Sequence, residues 1–282
     1  MPPSLSIVIP AYNEATRLKG TLNTILGYFD RQQSECELIV VDDGSTDDTL
    51  RVIEDHEARS SLVKSKTISV RPNHGKGNAV RVGLLAATAP IALFTDADLS
   101  TPITELSKLV EPIETGKYDV TFGSRALDRG LIGVHQPWRR EQGGRVFNLF
   151  VRLATGLPFW DTQCGFKCFR MSVCRPIVEA MTIERFGFDV ELLYVTYKAG
   201  LRLFEVPVRW DHNEGSKVSV VRDSLRMLNE VRTIRSQFSR GVYDDAIQTA
   251  SSVALLELAS SNDDNSASVD VEMTTDIAGA SH

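Results

Sequence analysis

Strand-sized apolar runs alternate with segments of helical period along the first 124 residues of this 282-residue chain. Leu5 to Ile9 is the first run, after which Leu18, Leu22, Ile25, Leu26 and Phe29 fall on one helical face. Leu38 to Val41 is apolar at every position, the mark of a parallel strand covered on both sides. A helix is expected next, because Ser45 and Asp48 have the spacing of a capping box. Ile68 and Val70 mark a third strand, and Val80, Leu84 and Ala87 a helix. Ile91 to Thr95 is a fourth strand; Leu106, Leu109, Val110 and Ile113 give a helix face, and Val120 to Gly123 a further strand. This order predicts an α/β fold with a mostly parallel sheet flanked by helices.

From Ser124 the rhythm changes. A Gly/Arg-rich loop leads to an apolar helix around Val146 to Leu153 and then to a mixed α+β stretch ending near Trp210. Asp223 to Phe238 is expected to be helical, with Leu225, Leu228, Val231, Ile234 and Phe238 on one side and Arg222, Arg226, Arg232 and Arg235 beside them. The chain therefore divides into 1–124, 125–241 and an acidic end, 242–282, expected to be helical from Tyr243 to Leu258 and disordered from about Ser260. That end carries eight acidic and no basic residues. The net charge of −6 thus leaves 31 basic against 29 acidic side chains in residues 1–241, or +2.

No apolar run approaches the roughly 18 residues of a membrane span, and the start MPPSLSIVIP lacks the basic and long apolar regions of a signal peptide. Cys36, Cys164, Cys168 and Cys174 are too scattered for a disulfide framework and lack zinc-ligand spacing. A cytoplasmic protein with reduced thiols is expected. Arg139 to Leu153 and Asp223 to Arg240 mix basic and apolar residues in a way that suits a membrane interface, and equally suits core-packing helices with solvated arginines.

Ligands of open parallel sheets bind beyond the carboxyl ends of the strands. Four polar clusters fall there: Pro10-Ala11-Tyr12-Asn13-Glu14, Asp42-Asp43-Gly44-Ser45, Asn73-His74-Gly75-Lys76-Gly77 and Asp96-Ala97-Asp98. Asp42-Asp43-Gly44 alone reads equally well as a turn. Asp96 and Asp98, two apart at a strand end, point the same way, so both carboxylates can face one Mg²⁺ or Mn²⁺ and leave positions for diphosphate oxygens. Gly75-Lys76-Gly77 lacks the full Walker pattern. Trp138, Trp160 and Trp210 read as packing residues and His74 as a loop residue.

IVIPAYNE, ELIVVDDGSTDDT, HGKGNAVRVG, FTDADLSTP and GSR, in this order, resemble family 2 glycosyltransferases of the GT-A, Rossmann-like fold. DTQCGFKCFR, ERFGFDVELLY and EVPVRWDHNEGSKV resemble the dolichyl-phosphate β-glucosyltransferase branch, kin of dolichyl-phosphate mannose synthases. The resemblance covers roughly residues 4 to 235 and implies an inverting, metal-dependent hexosyltransferase. A nucleotide-sugar would be its donor, UDP-glucose first, and a polyprenyl phosphate its acceptor. Residues 1–124 would be the nucleotide-sugar half and 125–241 the acceptor and lid region of one domain. Pro10, Tyr12, Glu14, Asp42 and Asp43 match positions that hold base and ribose, and Asp96 and Asp98 the metal and diphosphate ligands. Lys76 and Lys217 are candidates for pairing with phosphate. Arg125 and Arg140 match arginines that hold the acceptor phosphate. Asp161 is a candidate for orienting a sugar hydroxyl or acting as a base.

Ser100 stands where mannose synthases have Gln, and Gly144 where they can have Ser, which weighs against mannose as the donor sugar. An ionised lipid phosphate needs no general base, only positioned cations, and arginine forks suit that task. Peripheral contact with a membrane surface and no nucleic-acid partner are expected, and the sequence does not fix an oligomeric state. Three other readings remain: a GDP-mannose-dependent enzyme of the same chemistry, a soluble family 2 transferase acting on a sugar hydroxyl, and a catalytically silent nucleotide-sugar-binding protein.

Overall fold

The computed structural model describes residues 3–56, 59–134, 138–213 and 220–275; side chains are described except at 138–141, 220–225 and 261–275. The first half alternates β1 (Leu5–Ala11), α1 (Ala15–Gln32), β2 (Cys36–Asp42), α2 (Thr49–Glu54), β3 (Val63–Ser69), α3 (Lys76–Ala86), β4 (Ile91–Thr95), α4 (Leu106–Glu114) and β5 (Val120–Ser124). The second half contains β6 (Ile132–Val134), α5 (Trp138–Thr155), β7 (Phe166–Arg170), α6 (Met171–Glu179), α7 (Phe188–Lys198), β8 (Leu203–Pro207), β9 (Trp210–Asp211), α8 (Val220–Ser239) and α9 (Asp244–Thr275).

Seven strands form one sheet in the order β3-β2-β1-β4-β7-β5-β8, and β6 pairs with β9 in a small separate ribbon. All pairings in the large sheet are parallel except those of β7, which runs antiparallel to β4 and β5. The predicted α/β architecture is therefore present, and the second half completes the same sheet. β1, β2, β4 and β5 are buried at every position, as their continuous apolar runs require. β3 begins earlier than Ile68 and ends before Val70. It is an edge strand paired only with β2, so one face stays polar and Lys64 and Lys66 project outward from it.

The strand order reverses at β1, whose neighbours are β2 and β4. β1 follows β2 in register to Ala11 and Asp42 but follows β4 only to Val8 and Phe94. Pro10, which has no amide hydrogen, is tolerated because the strand has already parted from β4 there. The parting opens a crevice beyond the strand ends, the usual ligand position in a doubly wound sheet.

Close approaches mount α3 over this crevice. A Cβ on Gly83 would lie 2.3 Å from Val8 Cγ1, and one on Gly77 would lie 2.5 Å from the Ile183 carbonyl oxygen. Only glycine lets the helix settle against the sheet and the 183–187 loop at those points. In the same hydrophobic cluster as α3, α9 docks through Ala246, Ala250 and the preceding Tyr243, whose hydroxyl donates to the buried Glu191 carboxylate at 2.7 Å. The carboxyl-terminal helix thus starts where the expected one starts. It continues past Leu258 to Thr275, across a stretch expected to be disordered.

Candidate active site

Three loops meet at the crevice, each stitched to another by side-chain bonds. Asn13, in a left-handed conformation (φ 54°) that asparagine accommodates, donates its amide to Ser45 Oγ at 2.9 Å and accepts from the Thr46 amide at 2.8 Å. Ser45 is thereby used between loops, and α2 has no side-chain cap, so the expected capping box is not formed.

Asp42 is fully buried, accepting from the Ser45 amide (3.1 Å) and from Arg71 (2.9 Å). Asp43 accepts from Asn73 Nδ2 and the Gly75 amide, both at 2.7 Å, and from the His74 amide at 3.0 Å. Burial raises the Asp43 pKa, and these amide bonds oppose the rise. Both carboxylates, read in sequence as base and ribose ligands, are engaged in bracing the loop that carries Lys76. Tyr12, in the loop after β1, is 42% exposed.

The Glu14 carboxylate is held by Arg17 Nε at 2.7 Å and Nη2 at 2.6 Å, and Arg17 Nη1 reaches Asp98 at 3.4 Å. Sequence reasoning passed over Arg17, although Glu-x-x-Arg on the first turn of a helix is the spacing at which such a pair meets. Asp98 also accepts from the Ser100 amide at 3.0 Å, and Asn213 Nδ2, just after β9, donates to the Asp98 carbonyl at 2.7 Å.

Asp96 lies 2.5 Å from Lys76 Nζ. Burial would lower the Lys76 pKa, but Asp96, and behind it Asp189, raise it. A Cβ on Gly165 would sit 2.2 Å from Asp96 Oδ2. Its missing side chain is the space the carboxylate occupies. Next to this cluster Lys167 Nζ is buried 2.5 Å from Asp189 and 2.7 Å from the Cys164 carbonyl.

Asp96 and Asp98 fit a hard divalent cation in their chemistry, two carboxylates on one loop two residues apart. Among the described residues no group of three or more His, Cys, Asp and Glu is placed to hold a metal. Two carboxylates, with water and phosphate oxygens completing the shell, is the arrangement magnesium favours.

Across the crevice Arg125 and Asp161 form a bidentate pair, Nε to Oδ2 at 2.6 Å and Nη2 to Oδ1 at 2.8 Å, with the Arg125 amide donating to the same carboxylate at 3.0 Å. Burial opposes the ionised Asp161, but the charge and bonds of Arg125 hold its pKa down at about 2. With both oxygens occupied and so low a pKa, Asp161 does not fit the role of general base. It fixes the orientation of Arg125. Glu205 secures this loop in turn, accepting from the Asp161 amide at 2.8 Å and from Ser124 Oγ at 2.7 Å. The Arg125 guanidinium lies over Trp210, 5.6 Å from its centroid, and its charge feels Asp96, so the two sides of the crevice share one field.

Lys217 lies outside the described residues, as does the side chain of Arg140, whose backbone belongs to α5. Gly144 is on the same helix with open space around it. Trp210 is buried as expected. Trp160 is not a packing residue: it is 55% exposed beneath Arg152, whose guanidinium is 3.9 Å from its centroid.

A mostly parallel sheet with an Asp-Ala-Asp loop at its switch point, a lysine opposite and a fixed arginine across the crevice defines a transferase of the GT-A type. The glycosyl transferase family 2 profile matches residues 6–178, and the chain belongs to that family. The dolichyl-phosphate beta-glucosyltransferase of Dictyostelium discoideum is 30% identical over 249 residues, 85% of this chain and 76% of that one. The protein of the same name from Drosophila melanogaster is 33% identical over 250 residues, 85% of this chain and 76% of that one. The fold is shared with glucosyl-3-phosphoglycerate synthase from Mycobacterium tuberculosis, whose crystal structure holds Mn²⁺, uridine-diphosphate and glucosyl-3-phosphoglycerate. The TM-score is 0.57 at 21% identity, over 82% of this chain and 78% of that one.

Proposed function

We propose that this family 2 transferase moves glucose from UDP-glucose onto dolichyl or another polyprenyl phosphate, inverting the α-linked donor to a β-linked lipid-phosphate sugar. The observation that supports this reading is Lys76 beside Asp96 at the end of β4, near enough to the fixed Arg125 for the charges of Asp96 and Arg125 to interact, an arrangement suited to a diphosphate and a second phosphate in one crevice. Relatives named for this reaction at 30% and 33% identity supply the sugar and the acceptor.

In this mechanism the crevice positions charges. A phosphate monoester with a second pKa near 6 is largely ionised at neutral pH, so its oxygen needs no base to attack the anomeric carbon. That oxygen forms the new bond to the sugar as the bond to UDP breaks, and UDP leaves with the electron pair. Arg125 Nη1, which Asp161 does not engage, is free to orient the acceptor phosphate. Lys76 pairs with the departing diphosphate. Asp96 and Asp98 would hold Mg²⁺ or Mn²⁺, which when bound neutralises charge building on the leaving group. Incubating the purified chain and Mn²⁺ with UDP-glucose, UDP-galactose or GDP-mannose, with and without dolichyl phosphate, should yield a lipid-linked hexose from UDP-glucose alone. Product from GDP-mannose instead would reassign the donor, and glucose transferred only to a soluble saccharide would reassign the acceptor.

Among the described residues no helix is long and apolar enough to cross a membrane. The two basic-apolar segments separate in the structure. α8 turns Met227, Val231 and Ile234 inward and leaves Arg226, Arg232 and Arg235 outside, as a core-packing helix does. α5 buries Phe147 and Val151 but exposes Val146 (68%), Leu149 (54%), Phe150 (36%) and Leu153 (78%), one stripe at i, i+3, i+4 and i+7. Arg145, Arg152 and Trp160 border it, the composition of an interfacial helix. Asn148 of the same helix meets Thr162 at 3.4 Å, beside the Arg125 and Asp161 pair. We assign this stripe to contact with the bilayer that carries the acceptor. Leu149→Glu with Leu153→Glu should abolish flotation with anionic vesicles and leave turnover on a short-chain, detergent-dispersed polyprenyl phosphate within about twofold, as expected for surface changes. Undiminished flotation would remove α5 from the interface.

A further inference from the structure

Both carboxylates of the Asp-Ala-Asp loop already have cations. Lys76 Nζ is 2.5 Å from Asp96, and Arg17 Nη1 is 3.4 Å from Asp98. Neither cation belongs to the loop it neutralises: Lys76 opens α3 and Arg17 lies in the first turn of α1. We infer that Lys76 and Arg17 are built-in counter-ions of the metal site, occupying Asp96 and Asp98 until a nucleotide diphosphate draws them away, so that metal and nucleotide bind in mutual dependence. The inference rests on the metal-dependent reading above and goes beyond it in naming what fills the site beforehand.

The mounting of each cation supports this. The backbone of Lys76 is clamped from two sides. Asp43 holds the Gly75 amide at 2.7 Å, and the Glu184 carbonyl accepts from the Asn78 amide at 3.0 Å. A Cβ on Gly75 would lie 2.6 Å from that same carbonyl oxygen, so α3 cannot slide. Only the side chain of Lys76 is left to swing. Its ammonium is ion-paired with Asp96 at 2.5 Å, and Asp189, the other nearby carboxylate, is already held by Lys167 at 2.5 Å. Arg17 is different in kind. Two short bonds to Glu14 fix its guanidinium, and the longer contact to Asp98 is the one it can surrender while staying oriented.

A divalent ion entering alone would meet these two positive charges within a few ångströms of its ligands. A diphosphate entering alone would have to compete with Asp96 and Asp98 for the same cations. Arriving together, ion and diphosphate exchange partners, the ion taking the carboxylates and the cations taking the phosphate oxygens. Linkage requires that UDP improve Mn²⁺ affinity by the same factor as Mn²⁺ improves UDP affinity.

The test is a titration of free Mn²⁺ by electron paramagnetic resonance with the full chain, with and without UDP, for the wild type, Lys76→Met, Lys76→Arg and Arg17→Met. For the wild type, weak binding of Mn²⁺ alone and much tighter binding with UDP are expected. Lys76→Met should bind Mn²⁺ alone about tenfold more tightly, the scale on which removing an adjacent like charge acts at a part-exposed site. It should bind UDP alone more weakly, so the gain conferred by UDP shrinks. Lys76→Arg keeps the charge and should stay near the wild type, and Arg17→Met should shift in the Lys76→Met direction by a smaller factor. Unchanged or weaker binding of Mn²⁺ alone by Lys76→Met would overturn the inference. Should that variant fail to fold, as judged by circular dichroism, Arg17→Met decides by the same readout. A wild type that binds no Mn²⁺ even with UDP would instead overturn the metal-dependent reading, and the inference with it.

Discussion

Asp98→Ala lowers turnover by at least about a hundredfold, on the scale set by removing one group that stabilises charge in a transition state, and leaves the fold intact. Asp98 sits at the edge of the crevice with a side chain 20% exposed, and its bonds go to Arg17 at 3.4 Å and the Ser100 amide at 3.0 Å. No apolar contact of the core depends on it. The loop stays anchored, since Thr21 Oγ1 donates to the Ala97 carbonyl at 2.7 Å and Asn213 Nδ2 to the Asp98 carbonyl at 2.7 Å. The thermal midpoint should therefore lie within a few degrees of the wild type while lipid-linked product falls to the detection limit. Wild-type turnover in chelator-treated buffer, or an active Asp98→Ala enzyme, would show that these carboxylates do not hold a catalytic ion.

The parts of this site that were legible in the sequence are those written locally. Ile91 to Thr95 followed by Asp-Ala-Asp is a buried strand running into two carboxylates, and β4 ends at Thr95 as that pattern requires. The less legible parts depend on which distant segment lies alongside. β7 inserts antiparallel between β4 and β5, and no periodicity in Phe166–Arg170 names those partners. A lysine at position 167 even argues against a central strand, until Asp189 from α7 is placed 2.5 Å away to neutralise it. Asp42 and Asp43 show the same limit from the other side. Their position after β2 suggests ligands, whereas the Asn73–Gly75 loop and Arg71, about 30 residues away, occupy their oxygens. The mixture of basic and apolar residues in α5 was visible in the sequence, but only the solvent exposure of Val146, Leu149, Phe150 and Leu153 separates it from the similarly composed α8.

Asp161→Asn destabilises the protein by about 3 kcal/mol at neutral pH, because it strips the counter-charge from a mostly buried arginine. The Arg125 side chain retains 28% exposure, which sets the cost at the lower end for broken buried pairs, while Asp161 itself is 2% exposed. The replacement amide would present donors where Arg125 already donates, so shape is kept and charge complementarity is lost. Replacing both partners, Arg125→Met with Asp161→Leu, should cost less than Asp161→Asn alone, since no charge is then left unpaired.

The pair also gives stability a sign with pH. The Asp161 pKa is lowered on folding from 3.8 to about 2, so its contribution is fully present above about pH 4 and is lost as pH falls toward 2. At 1.36 kcal/mol per unit the contribution is about 2 kcal/mol. Urea unfolding at pH 7 and across the acid range measures both effects, and the double variant, which lacks the carboxylate, should lose that part of the acid sensitivity. An Asp161→Asn protein as stable as the wild type yet unable to turn over would return this carboxylate to the role of a base. Loss of stability at neutral pH, recovered in part by the double variant, would fix it as the residue that positions Arg125.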